Sequence, residues 1–472
     1  MAKSKVMRKP LKILIVGLLY PLSSWAGGFL IYEHGAAATG MAGARTALDG
    51  DPSSLYFNPA AITELEGLQL ELGTTLILPY IHYHPAGRPE NPRTYTSYRD
   101  GQYVQLAVND GENPADATVK LFTPLHLYAT YRIEDWGLTA GFGLNNPFGL
   151  GTYWPRSWDG RFIAVETEIQ TFFSQPTLAV DLARWLRMHQ SVRLSLAVGY
   201  DLVYGTARLG RQIDLRAAEA LSLGQLVAPE GSMRLTADAW AHGWNAALYF
   251  QLPQAFALGA SLRSGVRMNF AGTGKFFLGH SAQQAADILG LAVPEETTGR
   301  VTIDLPWTLN FGAALLAIEN LRLAADLYLA FFSSYDRLEL KLDCIEDGSC
   351  SDTLAPPAME KNWHTSLQFS LGAEYVLFRN WLVRAGWGMV TSPVPAETYD
   401  PSLPDGRRQL LAAGFGWRGG WFACEAGYLV AFWSGEKNNR VGEGDYLNPE
   451  GRANGKYSTV SHQLAFSFLA RF

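Results

Sequence analysis

The sequence is poor in charge and in cysteine, and beyond its first 26 residues it has no long apolar run. Charged residues make up 17% of the 472, below the roughly 25% usual for soluble proteins. No apolar stretch of about 18 residues follows Ala26, which excludes a helical membrane protein. It does not exclude a barrel, whose strands alternate instead of running apolar throughout. The three cysteines include no Cys-x-x-Cys and no metal-ligand spacing, so no metal site is expected. A basic excess is also missing. The formal charge is −6, and removing the five cations of the first 26 residues, which hold no acid, takes it to −11. Phosphate binding needs a basic footprint, so no nucleic-acid partner is expected. Catalytic sets are absent too: His82, His84 and His126 have no carboxylate at fixed spacing, and Gly40 to Gly43 lacks the basic residue and following helix of a phosphate loop. The expectation is no enzyme and no cofactor, with a barrel hydrolase as the minor alternative.

What is present begins with a secretory leader over residues 1–26. Lys3, Lys5, Arg8, Lys9 and Lys12 form a basic region, Ile13 to Leu19 an apolar one, and Ser24-Trp25-Ala26 a small-residue cleavage site. The apolar part is far short of the ~20 residues needed to span a bilayer. Export implies an oxidising compartment, so Cys344 and Cys350, which frame a polar loop, are expected to form a disulfide; the alternative is two unpaired loop thiols. Residues 27–65 are rich in Gly and Ala and lack both helical and strand periodicity.

From Leu68 onward the period is two. Between Val192 and Tyr204 the even positions are Val, Leu, Leu, Val, Tyr, Leu and Tyr, and the odd positions include Arg193, Ser195 and Asp201. From Phe256 to Phe270 one face is read as Phe256, Leu258, Ala260, Leu262, Val266, Met268 and Phe270, the other as Gly259, Ser261, Arg263, Gly265, Arg267 and Asn269. Such alternation means a sheet with one apolar and one polar face. A soluble sandwich would alternate as well, but these strands run to about 12 to 20 residues against a usual ~5–6. Short turns (Glu134-Asp135, Pro253-Gln254, Glu319-Asn320, Arg379-Asn380, Gly419-Gly420) alternate with long polar loops at about 85–117, 154–163, 212–232, 276–298, 341–362, 393–405 and 435–455. Short turns at one rim and long loops at the other fit an outer-membrane barrel. The strand count is 14. Trp136, Tyr153, Trp154, Trp158, Trp244, Trp307, Trp381, Trp421 and Trp433 fall near strand ends, where interfacial girdles lie. Within the long loops, Leu215 to Val227 and Ser281 to Leu291 carry Ala and Leu at helix-like spacing. The fold class is all-β: a 14-stranded antiparallel transmembrane β-barrel over residues 66–472, preceded by residues 27–65, which could be a loose terminus or a compact plug.

The chain resembles the FadL/TodX family of outer-membrane transporters for long-chain fatty acids and other hydrophobic compounds. The resemblance rests on Glu33 and the Gly/Ala-rich run to Ala47, Tyr56-Phe57-Asn58-Pro59-Ala60, Asn146-Pro147-Phe148-Gly149-Leu150, Trp158-Asp159-Gly160-Arg161-Phe162, Gln175-Pro176-Thr177, Leu305-Pro306-Trp307 and Leu403-Pro404-Asp405-Gly406-Arg407. It implies that residues 27–65 fold inside the lumen as an N-terminal hatch, or plug. It also implies a lateral opening where the third strand kinks at Asn146, Pro147, Phe148 and Gly149, with the hatch motif Asn58, Pro59 and Ala60 beside it. The residues agree, since Pro147 cannot donate to a ladder and Gly149 weakens one. By position the resemblance also implies that Phe29, Arg211 and Lys361 bind ligand. His364 departs from it, standing where an acid is usual.

The implied function is passive transport of hydrophobic small molecules, long-chain fatty acids foremost. Ligand would be captured at the extracellular loops and released sideways into lipid, because an apolar solute in a water-filled pore would forfeit ~0.8 kcal/mol per CH₂. Aromatic or alkane hydrocarbons, and a general porin or structural barrel, are the alternatives. The expected partners are the hydrophobic ligand and outer-membrane lipid or detergent, with the chain acting as a monomer.

Overall fold

A sheet can turn an apolar face to hydrocarbon only if it has no open edge, because each unpaired N–H or C=O there costs several kcal/mol. The chain meets this condition by closing on itself. The structure is a computed structural model that describes residues 27–32, 34–87, 94–107, 113–189, 191–354, 358–438 and 452–472; the expected leader, residues 1–26, and Glu33 lie outside the described residues.

Fourteen antiparallel strands form the barrel. They are β1 (Leu68–Pro85), β2 (Leu125–Ile133), β3 (Leu138–Asn145, then Gly149–Tyr153), β4 (Glu166–Asp181), β5 (Arg193–Asp214), β6 (Glu230–Leu252) and β7 (Phe256–Arg263, then Val266–Phe277). They continue as β8 (Glu296–Leu305, then Trp307–Ile318), β9 (Leu321–Phe331), β10 (Thr365–Phe378), β11 (Trp381–Val390), β12 (Arg407–Arg418), β13 (Phe422–Lys437) and β14 (Gly455–Arg471). Pairing of β1 with β14, from Gln69 opposite Arg471 to Pro85 opposite Gly455, closes the ring. On β5 the even residues Leu196, Val198, Tyr200 and Leu202 are exposed and the odd residues Ser195, Asp201 and Val203 are buried, so the apolar face looks outward. The extracellular stretches read as helix-like contain helices α1 (Ala218–Leu221) and α2 (His280–Ile288). Their buried sides pack in one apolar cluster with Cys344 and Cys350, which are disulfide-bonded.

Two sequence readings are corrected here. The faces of β7 do not run through from Phe256 to Phe270. Arg263 points inward with 9% of its side chain exposed, whereas Arg267 points out with 69% exposed and pairs with Asp304. Between Asn245 opposite Arg263 and Asp238 opposite Ala271, β7 uses eight steps where β6 uses seven. The extra residue is a bulge, and it turns every later side chain to the other face. At this bulge the Ser264 hydroxyl takes a rung of the ladder, accepting from Trp244 N at 2.9 Å. Pro306, with no N–H, separates the two halves of β8 at the same level, and Leu305 is buried whereas Trp307 is exposed. Val266, Met268, Phe270, Val301, Ile303 and Leu305 therefore face the lumen and make its upper part apolar. The second correction concerns the girdle. Trp136, Trp244, Trp307, Trp381 and Trp421 are exposed, but Trp154 and Trp158 are buried and stacked on each other at 4.3 Å among the extracellular loops, and Tyr153 is also buried.

Residues 27–65 fill the lumen, and nearly all of the described ones are buried. A buried segment whose regular structure is limited to short helical turns (Ala36–Thr39, Ser54–Phe57 and Pro59–Glu64) still has to satisfy its other backbone polar groups, and here the wall supplies partners. Asp326 Oδ2 accepts from Arg45 N at 2.8 Å and Thr46 N at 2.7 Å. Glu71 accepts from Ser53 N at 2.9 Å, and Ser467 Oγ from Ala36 N at 3.0 Å. Gln175 donates to Leu55 O at 2.8 Å and Ser261 to Phe57 O at 2.7 Å. Close approach depends on wall glycines. A Cβ at Gly386 would stand 2.3 Å from the Met41 carbonyl carbon, and one at Gly427 2.3 Å from Ala36 O.

Candidate functional site: two cavities and a break in the wall

The third strand is interrupted where Pro147 stands. Asn145 faces Phe173 and Gly149 faces Gln170, four steps on β3 against three on β4, so the interruption holds one surplus residue. Thr171 bridges it: its hydroxyl donates to Phe148 O at 2.7 Å and accepts from Phe148 N at 3.3 Å, while Asn146 Nδ2 donates to Thr171 O at 2.7 Å. On its other side the kink pairs with the start of the hatch. Ile31 N donates to Pro147 O at 2.8 Å and Gly149 N to Phe29 O at 3.0 Å, with Leu30 opposite Phe148.

Toward β2 the seam is open. Leu127 faces Leu144, and the next backbone bond along the seam, among the described residues, is Thr118 N to Tyr153 O at 2.7 Å. Between these points residues 117–124 form a strap that pairs with β1, Ile77 exchanging bonds of 2.8 and 3.0 Å with Phe122. A cavity of about 350 Å³ occupies the gap. Phe29, Leu403, Arg408 and Trp433 border it from within, and Leu121, Leu125 and Phe172, all exposed, border it at the outer surface. Phe29 lies in a nest of rings, with centroids 5.2 Å from Phe332, 5.9 Å from Trp363 and 6.0 Å from Phe148 and Tyr335.

A second cavity, about 800 Å³, opens among the extracellular loops. Leu215, Leu289, Leu291, Leu340 and Ile345 give it apolar walls, and Arg211 lies on its border. Arg211 donates to Leu354 O at 2.8 Å and Phe162 O at 3.5 Å; its Nε is buried without a partner, and among the described residues it has no carboxylate. Leu340 packs against both the extracellular apolar cluster and the apolar upper lumen.

Of the residues singled out from sequence, Phe29, Asn146, Phe148 and Gly149 border one cavity and Arg211 the other. Asn58, Pro59 and Ala60 bind elsewhere on the wall. Asn58 Nδ2 donates to Thr46 O at 2.9 Å and Leu248 O at 3.1 Å, and Pro59 lines a narrow cleft with Asn245 and Arg263. The segment paired with the kink is thus Phe29–Ile31. His364 is exposed, so its departure from an acid leaves the lumen unaffected. Phe122, Gly151 and Arg408 had no signal in the sequence beyond the prolines near the seam, Pro124 and Pro147.

Lys361 is buried and engaged: its Nζ lies 2.5 Å from Asp400 Oδ2 in the extracellular loops. Burial pushes the Asp400 carboxyl up, but the Lys361 ammonium outweighs it and holds the group below the ordinary carboxylate range. The stability this adds is complete above that range and is lost as pH falls through the lower folded value. Lys361→Met strands a buried carboxylate and should cost about 3–5 kcal/mol at neutral pH. Limited proteolysis of the extracellular loops would detect this, and the deficit should shrink on acidification as Asp400 protonates. A deficit independent of pH would contradict the assignment.

A closed barrel with an apolar exterior, a filled lumen and cavities at its mouth and wall defines an outer-membrane β-barrel transport protein. The chain belongs to the family described as outer membrane protein transport protein (OMPP1/FadL/TodX), which residues 18–472 match; its members are transport channels, not enzymes. It is 22% identical over 414 residues to a long-chain fatty acid transport protein of Escherichia coli O6:H1, covering 84% of each chain. It is 24% identical over 417 residues to a putative outer membrane protein of Neisseria meningitidis serogroup B, covering 85% of each. Among solved structures it is similar in fold to a Pseudomonas aeruginosa FadL homologue (TM-score 0.76, 19% identity, 94% of this chain and 100% of that one). It is also similar to the Pseudomonas putida toluene transporter TodX (TM-score 0.63, 15% identity, 93% and 99%).

Proposed function

We propose that the protein takes up long-chain fatty acids at the extracellular cavity and releases them sideways into the outer membrane through the gap between β2 and β3. The observation that carries this reading is the unpaired seam. The kink residues spend their outward-reaching backbone bonds on Phe29–Ile31, so β2 and β3 stay apart where an apolar cavity meets the lipid-facing surface. A chain moving from the apolar upper lumen through that gap never has to enter water, and so keeps ~0.8 kcal/mol per CH₂.

Arg211 supports a carboxylate head group over a plain hydrocarbon. A half-buried guanidinium that, among the described residues, is held only by carbonyl oxygens has capacity for an anion, and its fork matches a carboxylate. The name of the Escherichia coli relative agrees with this choice. Equilibrium binding of oleate to the purified protein and to Arg211→Ala is the test. The expected result is about tenfold weaker binding by the variant, in line with ~1.5–3 kcal/mol for a hydrogen bond to a charged group. Equal affinities would remove the anchor. Tighter binding of toluene than of oleate by the unmodified protein would favour the hydrocarbon reading.

A further inference from the structure

The gap between the strap and the upper half of β3 is not empty across its width. Ile77 faces the lumen on β1, and Phe122 stands directly opposite it on the strap, so the Phe122 ring also lies on the inner side. From there it reaches across the gap to β3. A Cβ at Gly151 would stand 2.2 Å from Phe122 Cε1 and Cζ, which means the tip of the ring occupies the space a side chain at 151 would need. Any larger residue at 151 would unseat it. The strap itself is held above and below the ring, by Ala117 N to Ile81 O at 3.0 Å, Thr118 N to Tyr153 O at 2.7 Å and Thr75 N to Pro124 O at 3.2 Å. The ring can therefore turn about its own side-chain bonds while the strap stays in place.

We infer that Phe122, seated on Gly151, is the specificity-determining residue of the wall opening: a single aromatic side chain that a passing ligand must displace, and whose size sets which ligands leave quickly. This rests on the lateral-release reading above. Among the described residues the seam has no backbone rung from Leu144 to Tyr153, so within the cavity the ring joins the two edges, while Lys120 lies over the Tyr153 ring at 3.2 Å beside the upper rung. Turning it away costs the contacts of one half-buried ring but breaks no backbone hydrogen bond. A slender acyl chain needs only a small displacement, and a bulkier solute needs a larger one.

The full-length protein, reconstituted in liposomes, tests this with oleate as probe. Phe122→Ala should raise the initial rate of oleate transfer about threefold or more, and Phe122→Trp should lower it by a similar factor. Equilibrium oleate affinity should stay within about twofold in both, because a merely structural role would change binding and assembly together. Gly151→Ala should also raise the rate by unseating the ring, and in the Phe122→Ala background the same methyl should change it by less than about twofold, the non-additivity expected of two groups in contact. Unchanged rates in Phe122→Ala and Phe122→Trp, with transfer by the unmodified protein intact, would overturn the role of Phe122 and leave lateral release standing. No oleate transfer by the unmodified protein would overturn both.

Discussion

Deleting residues 27–65 should convert the protein into an open pore, with conductance in planar bilayers rising at least about tenfold. These residues fill the lumen. Their backbone is bonded to Asp326, Glu71, Ser467, Gln175 and Ser261 around the wall, and Arg45 and Asp51 form a buried ion pair within the segment itself. Without the segment, a barrel of fourteen strands keeps inward-facing polar groups such as Glu374, Arg384 and Glu425, which water would readily fill. A gentler variant gives the same direction. Gly386→Leu places a side chain where the Met41 backbone now lies, and Gly427→Leu does so at Ala36. Either should loosen the segment and raise conductance while the barrel still assembles. An assembled deletion variant that conducts no more than the unmodified protein would show that the lumen is closed by something else.

Removing one residue, Pro147, should abolish most transport while leaving the barrel intact. The interruption in β3 holds one residue more than β4 can pair with, and Pro147 withholds its N–H from any ladder. Its deletion equalises the count, so β3 can run unbroken along β4 and offer its other edge to β2. Closing the seam removes the exit, and oleate transfer should fall at least about tenfold, equivalent to ~1.4 kcal/mol or more on the barrier. Binding at the extracellular cavity, which lies among other loops, should be little changed. Deletion of a β3 residue outside the kink is the control, because it shifts register without healing the surplus. If the Pro147 deletion assembles and still transfers oleate at the original rate, ligand leaves by another way.

Much of this was legible in the sequence, for physical reasons. Period-two alternation reports directly which face meets lipid, and Leu196 to Leu202 lie as read. Turn residues mark one rim and polar runs the other. Pro147 and Gly149 carry the signal for the interruption of β3, since each weakens a ladder whatever surrounds it. What escaped was set by contacts far apart in the chain. The bulge at Ser264-Gly265 looks like two more small residues in an alternating run, and only the partner strand reveals the extra step that turns Val266, Met268 and Phe270 inward. Trp154 and Trp158 suit an interface equally well against lipid or inside a loop cluster, and their burial depends on Tyr83, Tyr399 and Tyr457. The pairing of Phe29–Ile31 with the kink carries no local mark, because any extended segment can add a strand. Lys361 has the charge for a ligand carboxylate, but Asp400 occupies it.

The central claim is that ligand passes from the protein directly into the surrounding bilayer. The most direct measurement is the first destination of a fatty acid whose fluorescence reports immersion in lipid, followed after mixing with proteoliposomes that enclose a fatty-acid-binding protein. Lateral release predicts that the probe enters the membrane first, at a rate set by the barrel, and reaches the enclosed binder only afterwards. Arrival at the binder without prior entry into the bilayer would mean that ligand crosses the lumen end to end, and would contradict the account.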